Sequence, residues 1–265
     1  MNVDLALTRR QRIGAALLVA IALFCAAGPA LVGDPRVLDL MNFLSAPGLE
    51  HWLGTDHLGR SMVARLAHAG QLSLGLAALS VLSAAIPGVL LGIVAAWRGG
   101  WLERACVVLA DSVLALPGLL LVLLLATLAP GAFWPLYLGL ALAFWVEYFR
   151  VVRASARSIL ASPAVEASRL LGFGTFYLVR SHVWPELRPV LLTLASFGMA
   201  AAVLAMAALG FVGVGIKPPR PELGVMMIEL LPYYQEAPWL IAAPVLLLTL
   251  TLLGLVLIRP QEAVA

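Results

Sequence analysis

Six long apolar stretches constrain the fold of this chain more than any other feature of its sequence. They cover residues 13–33, 72–97, 105–129, 132–149, 189–216 and 238–258. A helix that crosses a bilayer needs about 20 mostly apolar residues, and its backbone must be hydrogen-bonded within the helix. The sequence therefore predicts an all-α membrane protein with six transmembrane helices. Pro87, Pro117 and Pro244 lie inside three of these stretches and predict kinks.

The composition excludes an ordinary water-soluble domain. Charged residues make up 12% of the chain and hydrophobic residues 62%, whereas soluble domains carry about 25% charged residues. The two cysteines, Cys25 and Cys106, form no C-x-x-C pair, so neither a disulfide framework nor a zinc site is expected. The net charge of +3 comes largely from arginines beside apolar stretches. This placement indicates a lipid bilayer, and no nucleic acid, as the partner.

The basic residues also predict the orientation of the spans. The chain has 17 Lys and Arg residues. If the N-terminus lies inside the cell, twelve of them fall in cytoplasmic segments and five in outer segments. The positive-inside rule requires this excess, so both termini are expected in the cytoplasm.

Two hydrophilic segments, residues 34–71 and 150–188, interrupt the apolar stretches. Residues 1–71 are expected to form the first transmembrane helix and an external segment. Residues 72–258 form the transmembrane core, which includes a cytoplasmic loop at 150–188, and residues 259–265 form a short C-terminal tail. Loops longer than about 12–15 residues usually have structure or a function of their own.

The cytoplasmic loop contains signals for two short helices. Ser162 followed by Pro163 predicts a capped helix start, and Gly172 is placed to end that helix. Thr175 is expected to cap a second helix that stops before Pro185. The loop is therefore predicted as helix, glycine hinge, helix, a shape that presents a protruding surface to a partner.

Family resemblance becomes specific in this loop. The stretch VEASRLLGFGTFYLVRSHVWPE resembles the E-A-A loop of bacterial ABC importer permeases. Glu166, Ala167 and Ser168 stand at the E-A-A positions, Gly172 follows at the family spacing, and Pro185 closes the motif. Ser168 replaces an alanine of the family pattern, a change between two small residues.

Two further stretches resemble the second permease of dipeptide, oligopeptide and nickel importers. HWLGTDHLGRSMVARL resembles the element G-T-D-x-L-G-R-D, through Gly54, Thr55, Asp56, Gly59 and Arg60. ALGFVGVGIKPPRPELGVMM, at 208–227, resembles a segment with two prolines and a W-G-x-M ending, with Leu223 in place of the tryptophan. The three motifs keep the family order.

This resemblance implies a type I ABC importer permease fold in a bacterial inner membrane. The implied partners are a homologous second permease, two ATP-binding cassette ATPase subunits and an extracytoplasmic solute-binding protein. The loop with Glu166 and Gly172 would couple to the ATPases, and the external G-T-D element would face the binding protein. The implied cargo is a dipeptide, an oligopeptide, or nickel and its small chelates.

The chain is not expected to hydrolyse ATP itself. A P-loop needs G-x-x-x-x-G-K-[ST], and the single lysine, Lys217, lies between Ile216 and Pro218. ATP and Mg are therefore expected to be bound by partner subunits, and no cofactor or catalytic residue is expected here. A secondary transporter would need paired intramembrane charges and inverted repeats, and a membrane enzyme would need a motif such as H-E-x-x-H; the sequence has no clear case of either.

Individual residues carry further expectations. Glu166 is expected to orient its loop by binding backbone amides or an arginine, or else to stabilise a helix dipole. Asp111 is the one acid well inside an apolar stretch, and a structural ion pair with a neighbouring loop is preferred to a proton relay. Asp56 and Arg60, at helical spacing, are expected to pair in a turn that leads into a helix on the membrane surface.

Two further patterns in the sequence are weaker evidence for a functional site. Gly88 and Gly92 form a G-x-x-x-G, which permits close helix approach and is weak evidence for a partner interface. His51, His57 and His68 lie outside, and Met199 and Met206 share one helix face, but methionine usually fills gaps. No metal site is predicted.

Overall fold

A computed structural model describes residues 8–259, and most of this part of the chain is helical. Its α-helices are α1 Arg9–Leu31, α2 Met62–Arg98, α3 Gly100–Leu114, α4 Gly118–Leu128, α5 Phe133–Leu160, α6 Pro163–Leu170, α7 Thr175–Leu178, α8 Trp184–Phe211, α9 Leu223–Leu230 and α10 Pro238–Leu257. Short 3-10 helices cover Leu40–Asn42 and Leu231–Tyr233, and Val179–Val183 is a π-helix. Of the predicted tail at 259–265, the described residues include Arg259 alone.

The six predicted spans are present, the third of them as a broken helix. Within residues 8–259, five helical segments are long and apolar enough to cross a membrane, and α3 with α4 supplies a sixth if the pair counts as one span. The two helices are bent by 74° at their junction. Pro117 is the N-cap of α4, and a proline disfavours helical backbone at the residue before it. In contrast, α2 and α10 run unbroken through Pro87 and Pro244.

Several helices are longer than hydropathy predicts. Helix α2 begins at Met62, ten residues before the expected start at 72, because the Ser61 hydroxyl caps it by accepting from the amide of Ala64 at 3.5 Å. Helix α5 continues past the apolar stretch to Leu160. Hydropathy detects the part of a helix that lipid surrounds, whereas these ends carry polar residues.

Helix α2 packs along α5, and glycines make the contact close. A Cβ atom on Gly88 would lie 2.6 Å from the Cβ of Tyr148 and 2.8 Å from the carbonyl oxygen of Trp145. A Cβ on Gly92 would lie 2.9 Å from a methyl group of Val152. The G-x-x-x-G pattern therefore serves a contact inside this chain, and the suggestion of a partner interface at these glycines is wrong.

The helix bundle has two ends that differ in structure. At the first, called the 34–61 end, α1 ends, α2, α5 and α10 begin, and α9 packs against α8. At the second, called the 161–183 end, α6 and α7 lie on the ends of α5 and α8. The start of α1 and the end of α10 also meet there, because the side-chain amide of Gln11 donates to the carbonyl of Arg259 at 3.3 Å.

Candidate functional site

Residues at both ends of α6 determine where this helix begins and ends. Ser162 is the N-cap and Pro163 the first helical residue, as predicted, although the Ser162 hydroxyl makes no capping hydrogen bond. At the other end the amide of Phe173 donates to the carbonyl of Ser168 at 3.2 Å. Gly172 has a φ of 82°, the left-handed conformation that ends a helix in this way and favours glycine. The expected glycine hinge therefore lies where the sequence predicts it.

The two short helices are seated on the bundle by apolar side chains. Val165 of α6 is completely buried, and Leu178 and Val183 are buried with it. These three contact a cluster at the end of α5 and the start of α8 that contains Val152, Ala156, Ile159, Leu160 and Leu187. Interiors packed in this way resist deformation, so the segment is held as a rigid platform.

Beyond this seat, the segment exposes large apolar side chains. The exposed fractions are 85% for Leu170, 75% for Leu171, 43% for Phe173, 77% for Phe176 and 43% for Tyr177. We call these five residues the apolar tip. The rings of Phe173 and Tyr177 stack with centroids 4.2 Å apart. Exposed large apolar side chains grouped in one short segment are a candidate contact surface for another protein or a membrane.

The first two E-A-A residues lie on α6 and are exposed. Within residues 8–259 the Glu166 carboxylate has no hydrogen bond or ion pair, so the expected bond to an amide or an arginine is wrong for the described chain. Glu166 stands in the first turn of α6, where a negative charge stabilises the helix dipole. Ala167 is exposed beside it.

Ser168 joins the two halves of the loop. Its hydroxyl donates to the carbonyl of Ala164 at 2.9 Å and lies 3.0 Å from Nε2 of His182. His182 belongs to the π-helix between α7 and α8. An alanine at position 168, as in the family pattern, has no hydroxyl for this contact, so the link is a feature of this chain.

The second half of the loop differs from the prediction. Gly174, not Thr175, is the N-cap of α7, so no side chain caps this helix. The helix does not stop before Pro185, because α7, the π-helix and α8 form one continuous helical segment over Thr175–Phe211. Pro185 follows the π-helix closely, at the start of α8, and it contributes no N–H to the hydrogen bonds of this continuous segment.

The 34–61 end contains a buried ion network centred on Asp56. Its Oδ2 accepts from Nε of Arg60 at 2.7 Å and from Nη1 of Arg65 at 2.5 Å. Its Oδ1 accepts from the backbone amides of Leu58 and Arg60, both at 2.9 Å. Burial raises the pKa of Asp56, but Arg65 and the two amides outweigh it, so that this pKa lies below its ordinary value.

Glu229 completes this network, and the sequence motifs do not reveal it. Its carboxylate pairs with Arg65 and lies 3.4 Å from Nη2 of Arg60. The predicted Asp56–Arg60 pair is therefore confirmed, but the helix that follows it is the start of α2, a candidate membrane span, and not a separate helix on the membrane surface. Asp56 is 0% exposed and Arg60 is 5% exposed, because α9 brings Glu229 over them.

The other residues of the G-T-D element shape the tight loop around Asp56. Gly54 and Gly59 have φ values of 75° and 71°. A Cβ on Gly54 would lie 2.4 Å from the carbonyl oxygen of Ser45, and one on Gly59 would overlap the carbonyl of Asp39. The hydroxyl of Thr55 accepts from the amide of Ser45 at 2.9 Å. Both glycines and the threonine therefore have structural roles in folding the loop.

The third motif forms the contact between α8 and α9. A Cβ on Gly210 would lie 2.3 Å from Oε2 of Glu222, and one on Gly224 would lie 2.1 Å from the carbonyl oxygen of Ala207. Glu222 caps α9 by accepting from the amide of Val225 at 3.0 Å. The motif thus attaches α9, which carries Glu229, directly to the end of α8.

Asp111 forms an ion pair, as expected, but its partner is on a helix. Its carboxylate pairs with Arg150 of α5, and both side chains are about half exposed. The neighbouring Glu103 pairs with Arg153 and, at 3.2 Å, with Arg157. These pairs connect α3 to α5 near the 161–183 end.

Comparisons with known proteins agree with these motifs. Residues 88–260 match the family described as binding-protein-dependent transport system inner membrane component. The chain is 34% identical over 252 residues to the di/tripeptide transport system permease protein DppC of Pseudomonas aeruginosa, covering 92% of this chain and 83% of that protein. It is 30% identical over 213 residues to the dipeptide transport system permease protein DppC of Alkalihalophilus pseudofirmus, covering 80% and 70%.

A solved structure supports the fold. The chain matches the MetNI methionine ABC transporter, described in inward-facing conformations, with a TM-score of 0.53 and 23% identity over 73% of this chain and 92% of that one. At this identity the likeness bears on fold alone, and it confirms the all-α permease fold predicted from the sequence. Together with the family match and the apolar helices, it shows a multi-pass protein of a bacterial inner membrane. The chain belongs to the family of binding-protein-dependent transport system inner membrane components.

Proposed function

We propose that this chain is a permease subunit of an ATP-driven peptide importer, with the 161–183 end in the cytoplasm and the 34–61 end outside. The apolar tip carries this proposal. Five large apolar side chains are exposed on a platform that Val165 and its neighbours hold rigidly. A surface of this kind suits docking of an ATPase subunit.

The continuous helix over Thr175–Phe211 transmits movement from one end of the bundle to the other. Its 37 residues span about 55 Å at 1.5 Å per residue. At one end it carries Phe176 and Tyr177 of the tip, and at the other Gly210 packs against Glu222 at the start of α9. Movement of an ATPase at the tip therefore displaces α9 at the outer end as part of one rigid body.

The ion network around Asp56 extends this mechanical connection. Glu229 of α9 holds Arg65 of α2 and the loop that contains Asp56. The loop, α2 and α9 consequently form one assembly on the outer side, where we place the contact with the solute-binding protein. Two ATPase subunits, which bind ATP and Mg, and a second permease complete the proposed complex.

Peptides are the proposed cargo because of the relatives' names. The two DppC proteins are named for di/tripeptide and dipeptide transport, and other relatives are named putative peptide transport permeases of Brucella species. Nickel and its chelates, which the sequence motifs leave open, gain no support from these names.

Reconstituted transport tests the proposal. The chain should be purified with its second permease and ATPases, placed in vesicles and supplied with binding protein and a radiolabelled dipeptide. Uptake should require ATP and continue when ionophores collapse every ion gradient. Uptake that persists without ATP and stops with the ionophores would identify a secondary transporter instead.

Chemical labelling tests the orientation. In a chain with Cys25 and Cys106 replaced by serine, a cysteine at Met41, which is 93% exposed, should react with an impermeant maleimide in intact cells. A cysteine at Arg157, whose side chain is 70% exposed, should react only after the cells are permeabilised. The opposite pattern would place the apolar tip outside and exclude it from ATPase docking.

A further inference from the structure

A cleft of about 780 Å³ opens at the 34–61 end, between the end of α1, the first half of α2, the start of α5 and the segment before α9. Pockets for small molecules usually have volumes of about 300–1,000 Å³. Apolar side chains form part of its wall, among them Leu76 and Phe133. Arg36, His68, Gln71 and Arg220 line the same cleft. Arg220 lies in the third motif, at 208–227, whereas Arg36, His68 and Gln71 lie outside the three motifs.

The two arginines of the cleft differ from the other arginines at this end. Arg60 and Arg65 are buried and paired with Asp56 and Glu229. Within residues 8–259, Arg36 and Arg220 have no carboxylate within ion-pair distance. Two unpaired guanidinium groups that line one cleft favour an anion with carboxylate geometry, which arginine binds through two parallel hydrogen bonds.

The remaining polar groups suit the rest of a short peptide. Asp34 accepts from the amide of Arg36 through Oδ1 at 2.9 Å, and its second oxygen can accept from an ammonium group. Among the described residues, the amide of Gln71 has no hydrogen-bond partner, so it can bind a peptide group. Nδ1 of His68 lies 2.9 Å from the carbonyl of Ala64 and therefore donates to it, so Nε2 is the ring nitrogen that can contact a bound peptide.

We propose that this cleft is an entry subsite for a short peptide, with Arg36 and Arg220 binding its terminal carboxylate and the apolar wall binding its last side chain. This inference rests on peptide import as the proposed function. It assigns part of the cargo selectivity to the permease itself, at the point where cargo leaves the binding protein.

The test compares a dipeptide with its C-terminal amide. The full complex is placed in vesicles of pure phosphatidylcholine, so that no anionic lipid headgroup competes for the arginines. Uptake of alanyl-phenylalanine and of alanyl-phenylalanine amide is measured in separate experiments, each with the binding protein saturated by the peptide under test. The fluorescence of the binding protein verifies that it is saturated. The binding protein is the same in all experiments, so a change in the ratio of the two uptake rates comes from the permease.

We expect Arg220→Gln and Arg36→Gln each to lower the ratio of dipeptide uptake to amide uptake roughly tenfold. A change of this size corresponds to the loss of one charged hydrogen-bonding partner. Arg220→Lys should retain part of the ratio because it keeps the charge. Lys217→Gln is the matched control: Lys217 is an exposed cation on the same segment that does not line the cleft, and the ratio should not change.

Two results would overturn the subsite. An unchanged ratio in both glutamine variants would show that the carboxylate does not contact the arginines. Equal losses for both peptides would show that the arginines contact the second permease or the binding protein. In either case wild-type uptake of the dipeptide continues, so the proposed function stands. Absence of ATP-dependent uptake by the wild type would overturn the proposed function, and the subsite with it.

Discussion

Nη1 of Arg65 lies 2.5 Å from Oδ2 of Asp56, and both side chains are almost completely excluded from solvent. The pair joins the loop at 34–61 to the first turn of α2, and Glu229 extends the connection to α9. A buried ion pair contributes little net stability compared with apolar residues, but removal of one partner leaves an uncompensated charge. The network is therefore a sensitive point of the fold.

Asp56→Asn should destabilise the protein strongly. The substitution removes the negative charge between Arg60 and Arg65, and breaking a buried pair in this way costs about 3–5 kcal/mol. Glu50→Gln is the control, because Glu50 is an exposed acid in the same loop and should change stability by less than about 0.5 kcal/mol. Thermal unfolding in detergent measures both, and equal midpoints for the two variants would contradict the role of the network.

The contribution of Asp56 should also disappear in acid. Arg65 and backbone amides hold the pKa of Asp56 below its ordinary value despite burial. A carboxylate of this kind stabilises the fold fully above its unfolded-state pKa, and that stability is lost as the pH falls through the folded-state pKa. The stability difference between wild type and Asp56→Asn should stay constant above about pH 5 and shrink below about pH 4. A difference that persists undiminished at about pH 2 would exclude this carboxylate as its source.

Gly172→Val should impair transport without preventing membrane insertion. Gly172 has a φ of 82°, yet a Cβ there would contact nothing within 4 Å, so the penalty comes from the backbone and is about 1–2 kcal/mol. Uptake and peptide-stimulated ATPase activity should fall together, roughly 5- to 30-fold. Gly174→Val is the matched control, since Gly174 has a φ of −74° and equally open surroundings. If both variants transport normally at normal abundance, the α6–α7 geometry does not couple ATP to transport.

Phe176→Ala should weaken binding of the ATPase subunits. Phe176 is 77% exposed, so its truncation leaves no cavity in the permease. Aromatic anchors of an interface commonly contribute more than 1 kcal/mol, and we expect at least a roughly fivefold loss of affinity in titrations of detergent-solubilised permease with ATPase. Trp101→Ala, on a residue that is 79% exposed outside the apolar tip, should bind as the wild type does. Equal effects of the two substitutions would contradict a specific docking surface.

Gly88→Ala should separate α2 from α5. The new methyl group would lie 2.6 Å from the Cβ of Tyr148, and overpacking of this kind costs about 1–3 kcal/mol. At Gly75, also on α2, a Cβ would contact nothing within 4 Å, and alanine there should stabilise the helix by up to about 1 kcal/mol. Unfolding midpoints should therefore shift in opposite directions, and a stabilising Gly88→Ala would show that the contact is not tight.

The parts of the structure that could be predicted depend on nearby residues or on hydropathy. Ser162, Pro163 and Gly172 act within one or two helical turns, so α6 could be predicted from the sequence. The spans could be predicted because lipid imposes a simple length and composition. The break at Pro117 was indicated by the proline, but the same signal at Pro87 and Pro244 leaves continuous helices, since proline alone does not decide whether neighbours satisfy the freed carbonyl.

The parts that could not be predicted involve contacts between distant residues. Glu229 is 164 residues from Arg65 along the chain, and nothing local marks it as the partner of a buried arginine. Without Glu229, the Asp56–Arg60 spacing suggests an ordinary surface pair. The direction that Gly88 and Gly92 face is likewise unpredictable from a single sequence, because the G-x-x-x-G pattern permits close approach of any helix, from the same chain or from another subunit.

The close seam between α2 and α5 imposes an order on biosynthesis. Because α2 precedes α5 in the chain, α2 is synthesised before Trp145, Tyr148 and Val152. Throughout that interval the bare backbone around Gly88 and Gly92 lies against lipid or the insertion machinery. Until α5 is inserted, therefore, the glycine face of α2 lacks the partner that covers it in the folded chain.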